Sequence, residues 1–261
     1  MKFHQSVISI ILCLLVSPVL LAGDQDWFRH TAISPDGKSI LFSYHGDIHT
    51  VAVEGGLARA LTTNEAWDGH PVWSHDGKQI AFASDRHGNL DVFVMPSEGG
   101  KASRLTFHSA NDIPNDFNRD NDAVLFSSAR TENASSSFFP TGRVAELYQV
   151  KTTGGTPMMV TTIASSQARY NKDGDKIVYR DEKAYEIEFR KHDVSAFARD
   201  IWLHDLESGE HTQLTDFEGG DHQPVWVDNQ IYYLSEEEGS NFNVWKTVSY
   251  THLTLPTKRI V

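Results

Sequence analysis

One turn signature recurs along the chain at a nearly fixed period. Ser34-Pro35-Asp36-Gly37-Lys38 leads into Ile40-Leu41-Phe42-Ser43, and 40 residues later Ser74-His75-Asp76-Gly77-Lys78 leads into Ile80-Ala81-Phe82-Ala83-Ser84. Such a period marks a repeat architecture, in which each unit buries its apolar face only against its neighbours. Further copies are Asn118-Arg119-Asp120-Asn121 before Val124-Leu125-Phe126, Asn171-Lys172-Asp173-Gly174 before Ile177-Val178-Tyr179, and Val227-Asp228-Asn229 before Ile231-Tyr232-Tyr233, which makes five units.

The second unit shows the internal plan. Pro71-Val72-Trp73 predicts a first strand, and Asp76-Gly77 supplies the positive φ that a tight hairpin requires. Residues 80–84 predict a second strand, 91–95 a third, and the segment around Arg104-Leu105-Thr106 a short fourth after the turn Gly99-Gly100. Gly55-Gly56, Gly154-Gly155 and Ser208-Gly209 repeat that turn, while Leu61-Thr62 and Leu214-Thr215 repeat the Leu-Thr ending. Strands this short cannot bury an apolar face alone, so the expected fold is all-β: a β-propeller of four-stranded antiparallel blades, about five of them visible, with an incomplete ring.

Two units carry insertions between their second and third strands, Arg130 to Ala145 and Arg180 to Arg199. In an up-and-down blade that connection shares an end with the passage into the next blade. Both insertions are therefore expected on the face carrying Trp67, Asp68, His108, Asp112, Asp221 and His222. They add Phe138, Phe139, Tyr185 and Phe189, and together these residues form a candidate interaction face. The aromatics either dock another domain or pin the insertions to their own blades.

The ends read differently. Lys2 precedes an apolar run from Val7 to Leu21 closed by Ala22, so residues 1–22 are expected to be a secretory signal peptide, 23–248 the propeller repeats, and the product periplasmic or secreted. The run falls short of the ~20 residues a bilayer span needs. Cys13, the one cysteine, lies inside it, so no disulfide is expected in the mature chain. Residues 249–261 read as translated adapter sequence, with a native C-terminal extension as the alternative; the fifth unit is then expected to lack its fourth strand, exposing unpaired backbone and a tendency to aggregate.

Chemistry is sparse. With 23 Lys and Arg against 35 Asp and Glu, the formal charge of −12 argues against nucleic acid or an anionic membrane as partner. Asp116, Asn118, Asp120 and Asp122 alternate like a calcium loop, but Asn121 stands where such a loop needs Gly and Ser127 where it needs Glu. His45 and His49 would lie about 13 Å apart on an extended strand, too far to share a metal. There is no Gly-x-Ser-x-Gly elbow, Gly37-Lys38-Ser39 lacks the first glycine of a phosphate loop, and Glu236 to Glu238 read as a solvated face. No catalytic, cofactor or metal residue is assigned.

The segment from His70-Pro71-Val72-Trp73 through Asp91-Val92-Phe93-Val94-Met95 resembles TolB-like propellers. Glu188-Phe189-Arg190-Lys191-His192, Arg199-Asp200-Ile201-Trp202-Leu203-His204-Asp205 and Asp221-His222-Gln223-Pro224-Val225-Trp226 together resemble the N-terminal propeller of tricorn-type proteases, over residues 27–246. That resemblance implies a six-bladed first propeller followed by a second propeller, a PDZ domain and a serine-protease core, none of which follows here. It also implies peptide substrates, contact with downstream domains and a possible homo-oligomer, while leaving no catalytic residue to carry over. A stand-alone periplasmic TolB-type binding protein and the propeller of a prolyl-oligopeptidase-like hydrolase are the competing readings.

Overall fold

The structure, a computed structural model, describes residues 28–130, 144–183, 198–237, 241–248 and 258–259. The expected signal peptide, the bodies of both insertions, and Phe138, Phe139, Tyr185 and Phe189 lie outside the described residues.

Among the described residues there are strands and turns and no helix. Blade 1 pairs β1 (Arg29–Ile33), β2 (Ser39–Tyr44), β3 (Asp47–Ala52) and β4 (Arg59–Ala60) antiparallel in chain order. Blade 2 repeats this with β5 (Asp68–Trp73), β6 (Gln79–Ser84), β7 (Asp91–Pro96) and β8 (Ser103–Arg104). Blade 3 holds β9 (Asp112–Phe117), β10 (Ala123–Ser128), β11 (Glu146–Lys151) and β12 (Met158–Thr161). Blade 4 holds β13 (Ser165–Tyr170), β14 (Lys176–Asp181), β15 (Ile201–Asp205) and β16 (His211–Gln213). Blade 5 holds β17 (Asp221–Val227), β18 (Gln230–Ser235), β19 (Asn243–Val248) and β20 (Lys258–Arg259). The expectation that blade 5 lacks its fourth strand is thus corrected: Lys258 and Arg259 pair with Lys246 and Trp245. Short outer strands give little sequence signal, and this one falls in the segment set aside as adapter.

Local chemistry explains the repeated hairpin. Ser34 donates to Asp36 Oδ1 at 2.7 Å, that carboxylate accepts the Lys38 N–H, and Ser34 Oγ accepts the Ser39 N–H, while Gly37 takes φ 71°. Ser74, Asp76, Lys78, Gln79 and Gly77 repeat the arrangement. In blade 3, Asn118 Oδ1 accepts the N–H groups of Asp122 and Ala123, and the Asn118 amide donates to Asp122. The calcium-like spacing there is this hairpin. The Leu-Thr endings also acquire a reason: Thr62, Thr106 and Thr215 accept the backbone N–H of Ile48, Val92 and Ile201, each at 2.9 Å, tying the end of a blade to its third strand.

Blades stack by a regular exchange. Leu41 and Ile48 of blade 1 meet Ile80, Phe82 and Phe93 of blade 2, and Ala81, Val92 and Val94 of blade 2 meet Phe117, Phe126 and Tyr148 of blade 3. Leu125 and Leu147 then meet Tyr170 and Tyr179, and Val178 and Ile201 meet Tyr233 and Trp245. Each boundary thus seats aromatics of the later blade on aliphatics of the earlier one, and each fully buried large side chain contributes about 2–3 kcal/mol. Contacts from β1 to β5, β9, β13 and β17 in succession place the first strand of every blade innermost. No comparable packing joins blades 5 and 1 among the described strands. Val244 accordingly stays 44% exposed, whereas its counterpart Val92 is fully buried, and Phe28 and Ile33 are exposed on blade 1.

Candidate functional site

The innermost strands share an irregularity. Register breaks between Arg29 and Ala32, Gly69 and Val72, Ser166 and Arg169, and His222 and Val225, and within each break one residue takes positive φ: His30 at 51°, His70 at 50°, Gln167 and Gln223 at 52°. Left-handed backbone is costly for a residue with a Cβ, and such strain persists only where the surroundings impose it. Blade 3 carries Pro114 at the equivalent place, whose ring forbids positive φ, and there the bulge contracts to the single residue Asn115.

These bulges bring polar groups of adjacent blades together near the axis. The rings of His30 and His70 stand 3.6 Å apart, with Trp67 edge-on to both. The Gln167 side-chain Oε1 accepts the Gln223 backbone N–H at 2.7 Å. Arg180, 3% exposed, donates to His222 Nδ1 at 3.0 Å and to Ser166 and Glu182, so His222 presents an unprotonated Nδ1 to it. Burial, with the Arg29 charge, holds the His30 pKa below the usual imidazole value.

The candidate face lies where the blade-to-blade connections run. Trp67 is half-buried, its backbone N–H donating to Asp85 Oδ1, and beside it Asn64, Glu65, Ala66, Asp85, Arg86 and Gly88 line a shallow open depression. His108 Nδ1 accepts the Ala110 N–H. Asp68 and Asp112 are fully buried and Asp221 is 1% exposed, so these three carboxylates present almost no surface. Asp68 instead takes the Arg86 guanidinium at 2.7 Å, and Asp112 takes both Arg130 donors. The Ser235 and Thr215 hydroxyls face the Asp221 carboxylate, and burial, aided by Asp200 and Glu237, pushes its pKa up to about 7.

Sequence reasoning missed the bulge residues and the arginines that hold the buried carboxylates. The available signal was the repeated pair in blades 2 and 3: an acid opening the first strand and an arginine two residues past the second. Among the described residues no group of three or more His, Cys, Asp or Glu is placed to hold a metal ion.

Stacked four-stranded sheets around a polar, bulged axis define a propeller module. Residues 25–256 match the tricorn protease N-terminal β-propeller domain, and the chain belongs to that family. It is 26% identical over 221 residues to tricorn protease homolog 1 of Streptomyces coelicolor, covering 79% of this chain and 19% of that protein. It is also 26% identical over 206 residues to an uncharacterized protein of Agrobacterium fabrum, covering 74% and 64%. The chain therefore spans less than two thirds of the length of both relatives. The crystal structure of the tricorn protease superposes with TM-score 0.74 at 17% identity, covering 90% of this chain and 22% of that one. A protein assigned as TolB in Agrobacterium tumefaciens superposes with TM-score 0.71 at 15% identity, covering 90% and 81%. At these identities the superpositions speak to the fold.

Proposed function

We propose that this chain is the non-catalytic propeller module of an exported tricorn-like serine protease, where it gates or channels peptides toward catalytic domains encoded beyond it and supports assembly. The family match over residues 25–256 carries the reading. Its physical support is the axis: imidazoles and amides on the bulged strands offer donors and acceptors suited to an extended peptide backbone. The test is peptidase activity. This chain alone is expected to show none, whereas the full reading frame cleaves peptides and loses that activity when its distal serine is replaced. Activity from this chain alone overturns the reading. Export is checked by N-terminal sequencing of the secreted product, expected to begin at Gly23.

A second reading, a stand-alone TolB-type protein-binding propeller, is favoured by the 81% coverage of the Agrobacterium tumefaciens chain. The gene beyond this segment separates the two: several hundred further residues favour the protease, and a stop within about one more blade favours the binding protein.

A further inference from the structure

Four Asp–Gly pairs occur in the chain, Asp36-Gly37, Asp68-Gly69, Asp76-Gly77 and Asp173-Gly174. In such a pair the glycine nitrogen, with no Cβ beside it to hinder approach, can attack the aspartate side-chain carboxyl and close a five-membered succinimide. The attack needs a carboxyl that is free to swing toward that nitrogen and protonated, so that water can leave. The fold treats the four pairs differently. Asp68 is fully buried on β5 and bound to Arg86 at 2.7 Å. The other three aspartates are exposed at the tips of the repeated hairpin.

Asp36 and Asp76 are tethered. Each Oδ1 accepts the hydroxyl of the serine two residues earlier at 2.7 Å, and the backbone N–H of the lysine two residues later at 3.1 and 3.0 Å. These bonds, the serine hydroxyl's first, hold both carboxyls below the usual carboxylate pKa and keep them in the ionised form, from which water does not leave. Blade 4 carries Asn171 where the others carry serine, and its hairpin is tied another way: Asn171 Oδ1 accepts the Lys176 N–H at 3.0 Å, and the Asn171 amide donates to Asp175 at 2.6 Å. Asp175 has thus taken the tether, and the Asp173 carboxylate makes no hydrogen bond or ion pair among the described residues. The attacking nitrogen is also held least closely there: the Gly174 N–H reaches the Asn171 carbonyl at 3.1 Å, against 2.9 Å for Gly37 and Gly77 to Ser34 and Ser74.

We infer that Asp173-Gly174 is a modification site, where spontaneous isoaspartate forms in preference to the other Asp–Gly pairs because the Asp173 carboxyl is untethered. In the first step the Gly174 nitrogen bonds to Asp173 Cγ, and the carboxyl hydroxyl leaves with the N–H proton as one water. In the second, water hydrolyses the bond between the Asp173 carbonyl carbon and the Gly174 nitrogen, so that the chain runs through Cβ and Cγ and the α-carboxyl is freed. One water is lost and one regained, with no other reactant. The change falls on a blade boundary, since the Asp173 carbonyl accepts from the Arg119 guanidinium of blade 3 at 3.2 Å and a Cβ on Gly174 would stand 3.0 Å from Arg119 Cβ. The inference rests on hairpin geometry and is independent of the peptide-channelling reading.

The test is ageing of the full chain at mildly acidic pH, followed by peptide mapping of all four pairs against synthetic isoaspartyl standards, in the folded state and in urea. In the folded chain isoaspartate is expected to accumulate at Asp173 several-fold faster than at Asp36 or Asp76, and not at Asp68; in urea the four rates are expected to converge, because the selection lies in the fold. Asp173→Glu, whose longer side chain closes the ring far more slowly, is expected to remove the signal at that site. Ser34→Ala removes the hydroxyl that holds Asp36 and is expected to bring conversion at Asp36 up toward the Asp173 rate. Equal rates at the three hairpins of the folded chain, faster conversion at Asp36 or Asp76, or no conversion at Asp173 overturns the inference, as does an unchanged Asp36 rate in folded Ser34→Ala. If Ser34→Ala does not fold, the ranking in the parent chain decides it.

Discussion

The imidazoles of His30 and His70 stack with centroids 3.6 Å apart and planes tilted by 33°, each on the innermost strand of its own blade. Two imidazolium ions would repel at that distance, and burial already disfavours the charged form of His30. A histidine whose folded pKa is depressed contributes stability above its unfolded value of 6.5, and that contribution is lost as pH falls through the folded value. Acidification from pH 7.5 to 5 is therefore expected to loosen blade 1 first, read as earlier hydrogen exchange in β1 and β2. His30→Asn, which tolerates φ 51°, is expected to reduce that acid sensitivity while keeping the fold. His30→Val is expected to cost about 1–2 kcal/mol at every pH, because a β-branched residue resists this backbone.

Asp221 has the opposite sign. Its pKa is raised from 3.8 to about 7, so its contribution is complete below the unfolded value and lost as pH rises through about 7. Asp221→Asn removes the ionisation. The variant is expected to be more stable than the parent by about 1–3 kcal/mol at pH 8 and near parity at pH 5, measured by urea unfolding.

Breaking the Asp112–Arg130 pair leaves one charge buried without its partner. Arg130→Met and Asp112→Asn are each expected to cost about 3–5 kcal/mol, and the double variant less than the sum. Strict additivity in the double-mutant cycle would show that the pair is not coupled.

Thr106→Val conserves shape but removes the oxygen that accepts the Val92 N–H at 2.9 Å. An unsatisfied buried donor costs about 1–3 kcal/mol. The loss is expected in Tm and in faster exchange at Val92, whereas Thr63→Val, exposed and outside the strands, should change neither.

Trp73 ends the first strand of blade 2 and Trp226 is the penultimate residue of the first strand of blade 5, and each indole N–H donates to the backbone of the preceding blade, to Ala32 and to Arg169. The sequence marks both as strand residues by their place before the turn, but only stacking supplies the acceptors. Asp68 and Asp112 show the same limit in the other direction. Their position near blade junctions suggests a surface role, and the fold places them inside because an arginine 18 residues later covers each one. The bulges were illegible because nothing in His30, His70, Gln167 or Gln223 announces positive φ; Pro114 alone carries a local rule, and it marks the exception.

Period, blade count and hairpin positions were written in the chain because they depend on contacts within about five residues, where Ser, Asp and Gly impose their own geometry on the backbone. The axis and the acid–arginine pairs depend on partners brought together by sheet stacking, such as Gln167 and Gln223, 56 residues apart. Loop-closure entropy sets no preference for those pairings until the aromatic face of one blade has buried the aliphatic face of the last. Tertiary structure therefore decided which polar residues face the axis, which are sealed inside, and which buried acids are neutralised by an arginine.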